Sequence, residues 1–126
     1  MDLGISGRTA LITGASKGIG LACAHSLARE GCNVHLASRT SADLEKAQAE
    51  LSAKYDVSVE IHPCDLSDGD AARALVASCS DVDILVNNAG AIPAGDIHEI
   101  EETRWREAWD LKVFGYQNMC RAMLEN

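Results

Sequence analysis

Thr13-Gly14-Ala15-Ser16-Lys17-Gly18-Ile19-Gly20 is a glycine-rich turn set between two patterned segments. Before it lies the apolar run Thr9-Ala10-Leu11-Ile12; after it, a helix is predicted from about Ile19 to Glu30, closed by Gly31. Strand, glycine turn and helix in that order form a cradle for a phosphate. The first N–H groups of the helix lack partners along the chain, and its dipole presents a positive end to an anion. Gly14 permits the tight turn, Gly18 lets backbone approach a pyrophosphate, and Gly20 lets helix pack closely on strand. A ligand-free strand–helix turn is the alternative, and the flanking elements favour the cradle. A magnesium-binding P-loop is excluded, because Lys17-Gly18-Ile19 lacks the Gly-Lys-Ser/Thr ending.

Outward from the turn, strands and helices alternate. Asn33 to Ser38 reads as a second strand, and Thr40 or Ser41 can cap a helix to about Lys54 with Leu44, Ala47 and Leu51 on one face. Val57 to Ile61 alternates as a half-exposed edge strand. Asp65-Leu66-Ser67-Asp68 opens a third helix through Ala71, Ala74, Leu75 and Cys79. Val82 to Val86 reads as a central, buried strand. A loop from Gly90 to Gly95 and a helix from about Thr103 to Leu124 follow. This order implies parallel pairing with helices on both faces of one sheet. Such a sheet binds its ligand at the C-terminal ends of its strands. Ser16 and Lys17, Ser38 and Arg39, Asp65, and Asn87 to Gly90 follow the four predicted strands in turn.

Bulk composition narrows the classes. The 126 residues suffice for one domain with a real core but not two. A net charge of −8 argues against nucleic acid or an anionic membrane as the main partner. No apolar run approaches the ~20 residues that span a bilayer. The N-terminal residues do not read as a secretion signal. Cys23, Cys32, Cys64, Cys79 and Cys120 have no CxxC spacing, and His25, His35, His62 and His98 have no metal-ligand spacing. Reduced thiols in a cytoplasmic protein and no metal site are therefore expected.

With the glycine turn, Asp65-Leu66 and Asn87-Asn88-Ala89-Gly90 in register, the whole chain resembles the short-chain dehydrogenase/reductase family. The turn matches its TGxxxGxG cofactor motif, and residues 87–90 match its NNAG segment. The resemblance implies an α/β, Rossmann-type doubly wound parallel sheet with strand order 3-2-1-4. Residues 1–126 then form a dinucleotide-binding domain, the N-terminal part of a longer chain. Gly14, Ser16, Lys17, Gly18, Ile19 and Gly20 would hold the cofactor's phosphates and ribose. Asp65 would accept a hydrogen bond from the adenine amino group, with Leu66 beside it. Asn88, Ala89 and Gly90 would border the adenosine ribose and lead toward the nicotinamide. Asp65 also reads as a neighbour of a helix N-cap, and Asn87 as a structural tie. An acid at the end of the second strand would bind the 2′-hydroxyl of NAD; Ser38 and Arg39 stand there instead. Arg39 can pair with a 2′-phosphate and Lys17 can add a second positive charge, so NADP(H) is expected over NAD(H).

The resemblance implies hydride transfer between nicotinamide and a small carbonyl or alcohol substrate. The family's serine and Tyr-x-x-x-Lys set is not matched here: Tyr55 and Tyr116 are followed at the fourth position by Val59 and Cys120. The 126-residue chain by itself is therefore expected to be inactive, and a non-catalytic dinucleotide-binding or regulatory module is the alternative. Lys112 stands where the family carries an asparagine of its proton relay. It falls in the stripe Trp105, Trp109, Lys112, Tyr116, Met119, Met123, one face of a regular helix. Either its ammonium enters the active site, or it reaches solvent or an acid. That helix is also expected to pair the chain into a homo-oligomer.

Overall fold

The computed structural model describes residues 1–125. Thr9–Thr13 forms β1, Gly18–Arg29 α1, Asn33–Ser38 β2 and Ser41–Lys54 α2. Val59–Pro63 forms β3, Gly69–Ser78 α3 and Ile84–Val86 β4. A long helical run follows: α4 (Glu102–Trp109), a π turn (Asp110–Phe114) and α5 (Gly115–Glu125). The strands pair in parallel in the order β3-β2-β1-β4.

Every residue of β1 is buried, as both faces of the sheet are covered. Ala10, Ile12, Val34 and Leu36 pack on one face against Leu44 and Leu51 of α2 and Ala24 of α1. Leu11 and Ala37 face the other way, against Leu75 and Val76 of α3 and Met119 of α5. Burying a large side chain in either layer contributes roughly 1.5–3 kcal/mol. The helix α1 ends as its sequence predicts. Gly31, at φ +88°, donates to the Ala28 carbonyl at 3.0 Å, and the Cys32 N–H donates to the Leu27 carbonyl at 3.1 Å. This pair of bonds is a Schellman ending, which the absent Cβ of glycine makes cheap.

Four sequence expectations shift. β3 starts at Val59 rather than Val57, because pairing begins where Val34 meets Val59. α3 buries Ala72, Leu75 and Val76, and Ala74 is exposed; alanines on both sides of the helix blur its periodicity. β4 pairs with β1 alone among the described residues, the edge place the order 3-2-1-4 gives it, but its three residues are half-buried rather than buried. An apolar run does not report how many neighbours a strand has. The final helix is not one regular face. A π turn holds one residue more than an α turn, rotating what precedes it by about 100°. Met119 stays buried, while Trp105 and Trp109 are 37% and 57% exposed. Arg104, Glu107, Ala108 and Leu111 come round instead to the side of Arg39 and Asp65.

Candidate functional site

A crevice of about 320 Å³ opens at the C-terminal ends of β1, β2 and β4. Its first wall is the turn after β1, where Gly14 adopts φ +64°. The N–H of Gly14 donates to the Ala37 carbonyl at 2.8 Å, tying the turn to β2. A Cβ on Gly14 would lie 2.9 Å from Ala89 Cα, and one on Gly20 would lie 2.2 Å from the Gly14 carbonyl oxygen. Gly20 therefore needs glycine for close approach, and Gly14 for both close approach and its left-handed backbone. Gly18 has φ +60° and open space around it. Lys17 stands at the α1 N-cap with extended backbone and makes no side-chain cap, so the first N–H groups of α1 are left for another acceptor.

Thr13 holds the second wall to the first. Its Oγ1 accepts from the N–H groups of Asn88 and Ala89, each at 3.0 Å, and donates to the Val86 carbonyl at 3.4 Å. The Asn88 side chain donates to the carbonyls of Thr13 and Gly14, both at 3.2 Å. The sequence reading missed this hub; a threonine heading the glycine turn was its only signal. Asn87 behaves as a tie: its Nδ2 donates to Cys120 Sγ at 3.3 Å and to the Tyr116 carbonyl at 3.5 Å. Its buried Oδ1 has no partner among the described residues.

The third wall follows β2. Ser38 Oγ donates to Ser16 Oγ at 3.1 Å across the crevice floor. Arg39 and Lys17 are exposed, and neither forms an ion pair among the described residues. Ile19, 76% exposed, presents an apolar face at the mouth. Leu66 and Cys64 close the side below β3, where burial pushes the Cys64 thiol up to about 11. Asp65 does not line this crevice; it lines an adjoining hollow with Arg39, Ser67 and Arg104. Its Oδ1 accepts from Ser67 N–H at 3.0 Å and Ser67 Oγ at 2.7 Å. Those two bonds hold its carboxyl below the usual range, with the Arg39 charge assisting.

Of the residues singled out in sequence, the crevice gathers Gly14, Ser16, Lys17, Ile19, Ser38 and Arg39 with Leu66, Asn88, Ala89 and Gly90. Gly18 and Gly20 shape the turn without lining it. Lys112 lies just outside. A Cβ on Gly90 would meet its Cδ at 3.1 Å and its Nζ at 3.3 Å. The Lys112 Nζ donates to Tyr116 Oη at 2.9 Å; the residue is exposed to solvent and forms no ion pair among the described residues.

Outside the crevice, His35, His62 and Cys79 converge on the face covered by α3. Burial and the neighbouring His35 hold the His62 ring toward its neutral form. The expectation of no metal-ligand grouping rested on linear spacing, and these residues come from three separate elements.

The family model described as short chain dehydrogenase matches residues 8–126. L-xylulose reductase of Mesocricetus auratus is 39% identical over 111 residues, covering 88% of this chain and 42% of that protein. The 2,3-dihydro-2,3-dihydroxybenzoate dehydrogenase of Bacillus subtilis is 33% identical over 124 residues, covering 95% and 47%. The crystal structure of L-sorbose reductase from Gluconobacter frateurii complexed with NADPH and L-sorbose superposes with a TM-score of 0.93 at 36% identity. It covers 99% of this chain and 49% of that one. The chain spans between 33% and 48% of the length of the curated relatives it matches.

Proposed function

The chain belongs to the short-chain dehydrogenase family, and on that premise we propose that it is the dinucleotide-binding part of an NADP(H)-preferring oxidoreductase. The family's enzymes bind nicotinamide dinucleotides; the crevice is the observation that carries the reading for this chain. Gly14 lines its first wall, and Gly14 and Gly20 let that turn close against Asn88 and Ala89 of the second, where a Cβ would clash. The uncapped start of α1 supplies N–H donors for a pyrophosphate. Arg39 and Lys17, which form no ion pair among the described residues, supply positive charge for a 2′-phosphate. Ser16 and Ser38 offer hydroxyls beside them, and Asn88, Ala89 and Gly90 border the far side. Asp65, already accepting from Ser67, keeps its second oxygen for an adenine amino group.

Bound there, the cofactor would supply hydride transfer to or from a small carbonyl or alcohol. This chain's own part is to bind and orient it. The residues that would activate substrate are a serine and a Tyr-x-x-x-Lys set, which no residues here match, so the 126 residues alone are proposed to be inactive. Lys112 is proposed to act beside the site through its contact with Gly90 and Tyr116. Exposed Trp105, Trp109 and Phe114 support a homo-oligomer contact on the last helical run. No helix of the described residues is long and apolar enough to cross a membrane. The five free cysteines support a cytoplasmic location.

Titration with NADPH and NADH, followed by nicotinamide fluorescence, tests this. A charge-assisted fork contributes about 1.5–3 kcal/mol, so NADPH is expected to bind about ten- to a hundredfold tighter, with R39Q bringing the two near parity. Tighter NADH binding would overturn the preference. The same titration on K112M is expected to leave affinity unchanged while turnover of the intact enzyme falls; unchanged turnover removes Lys112 from the mechanism.

A further inference from the structure

On the sheet face covered by α3, away from the dinucleotide crevice, three ligand-bearing side chains meet. The ligand atoms of His35 on β2, His62 on β3 and Cys79 at the end of α3 all lie within 4.8 Å of one another. The fold explains the meeting. In the parallel β2–β3 pair, His35 stands beside Glu60 and Ala37 beside His62, so these side chains project from one face. Helix α3 packs on that face through Ala72, Leu75 and Val76 and sets Cys79 over it.

The distances suit a tetrahedral ion. Cys79 Sγ is 3.6 Å from His35 Nδ1 and 3.6 Å from His62 Nε2. Zinc bonds of about 2.0–2.1 Å to nitrogen and 2.3 Å to sulfur set N···S at about 3.6 Å and N···N at about 3.4 Å. Both sulfur–nitrogen separations already match. The two nitrogens are 2.8 Å apart, so the rings must part by about 0.6 Å to reach that spacing. Glu60 Oε2 lies 3.5 Å from His35 Nδ1, near the N···O spacing of about 3.4 Å around zinc, but it stands outside the group of atoms within 4.8 Å of one another, so its 60% exposed side chain must turn inward to complete the set.

A fifth residue orients the first ligand. Asp81 Oδ1 accepts from His35 Nε2 at 3.1 Å, which leaves the Nδ1 lone pair facing the cluster. A carboxylate behind a ligating histidine is the usual way a metal site fixes ring tautomer and basicity. Without an ion, the same atoms form a chain in which His62 Nε2–H donates to His35 Nδ1 and His35 Nε2–H donates to Asp81.

We propose that His35, His62 and Cys79, with Glu60 as fourth ligand and Asp81 behind His35, form a zinc(II) site that clamps β2, β3 and α3 together. A thiolate with two imidazoles suits zinc and disfavours magnesium or calcium. One thiolate and one carboxylate balance the 2+ charge. On binding, the Cys79 thiol proton leaves to solvent and the His62 proton moves from Nε2 to Nδ1, freeing both lone pairs.

The test uses the chain stripped by a chelator, titrated with zinc chloride against a chromophoric competitor and separately with cobalt(II). One zinc per chain is expected, with a Kd below about 1 µM, as structural zinc sites in small domains show. The cobalt form is expected to show a thiolate-to-cobalt charge-transfer band in the near ultraviolet. C79S and H62N are each expected to weaken zinc by more than about a hundredfold, and D81N by about 10- to 100-fold. C64S is expected to keep both the band and the affinity. Circular dichroism of the stripped variants distinguishes lost ligation from lost fold, and H62N, at a half-buried position, serves if C79S misfolds. Absence of zinc binding at micromolar concentration overturns the site, as does binding that survives C79S and H62N or is carried by Cys64. Unchanged affinity in E60Q overturns the role of Glu60.

Discussion

Gly20 and Gly18 sit two residues apart in one turn and are glycine for different reasons. A methyl at Gly20 would press to 2.2 Å from the Gly14 carbonyl oxygen and 2.6 Å from Asn88 Nδ2. G20A must open the turn, with an expected loss of about 1–3 kcal/mol in urea unfolding and loss of dinucleotide binding. G18A meets no atom and carries only the left-handed backbone penalty of about 1–2 kcal/mol, so the fold of its crevice should survive. Equal effects of the two on binding would refute this division. Asp65 allows a pH test. Its folded carboxyl lies below its ordinary value because Ser67 bonds the ionised form. That contribution to stability is complete above the ordinary carboxylate range and disappears as pH falls through the folded value. In S67A, an NMR titration of Asp65 should move up toward the ordinary value, and the stability gap between variant and parent should close in acid. At this scale Gly14 and Gly20 are legible in sequence, because each answers a local demand of the strand–turn–helix unit, whereas Asn88 entered only through the resemblance of its segment. Thr13 was not legible, since a hydroxyl that accepts two N–H groups from residues 88 and 89 has no local signature.

The π turn over Asp110–Phe114 is the element that departs most from its sequence pattern. One extra residue in one turn lets Gly115 cross within 2.8 Å, by Cβ placement, of the Leu66 carbonyl while Leu111 still reaches the crevice. Deleting Val113, a 39% exposed residue of that turn, should convert it to an α turn and leave both flanking faces as they are. Its unfolding midpoint should stay close to the parent's. Deleting Gln117, inside α5, should rotate Met119 out of the core and lose about 2–5 kcal/mol. Comparable destabilisation by the two deletions would show that the turn is not a one-residue insertion. Most ends of the regular elements were legible to within two residues and β2 to the residue, because burial on one side imposes a fixed period, while α3 starts at Gly69 rather than at Asp65. A π turn has no composition of its own and answers only to what it packs against.

For the molecule as a whole, the open question is what meets the surface formed by Trp105, Trp109 and Phe114, which are 37%, 57% and 51% exposed. The proposed homo-oligomer predicts a mass above the monomer by light scattering, falling to the monomer when Trp109 and Phe114 are replaced by serine. A monodisperse monomer of the parent chain counts against it. Two layers of apolar side chains on a parallel sheet set everything else in place. The sequence by itself determined those layers and the glycine turn of the crevice, because periodicity and turn chemistry act over a few neighbouring residues, while the strand order followed from the family resemblance. Only the tertiary structure decided that the residues of β4 are half-buried and that Lys112 turns toward Tyr116. It also decided that His35, His62 and Cys79 share one face. These depend on strand register and helix packing, which join residues far apart in the chain and leave no spacing to read.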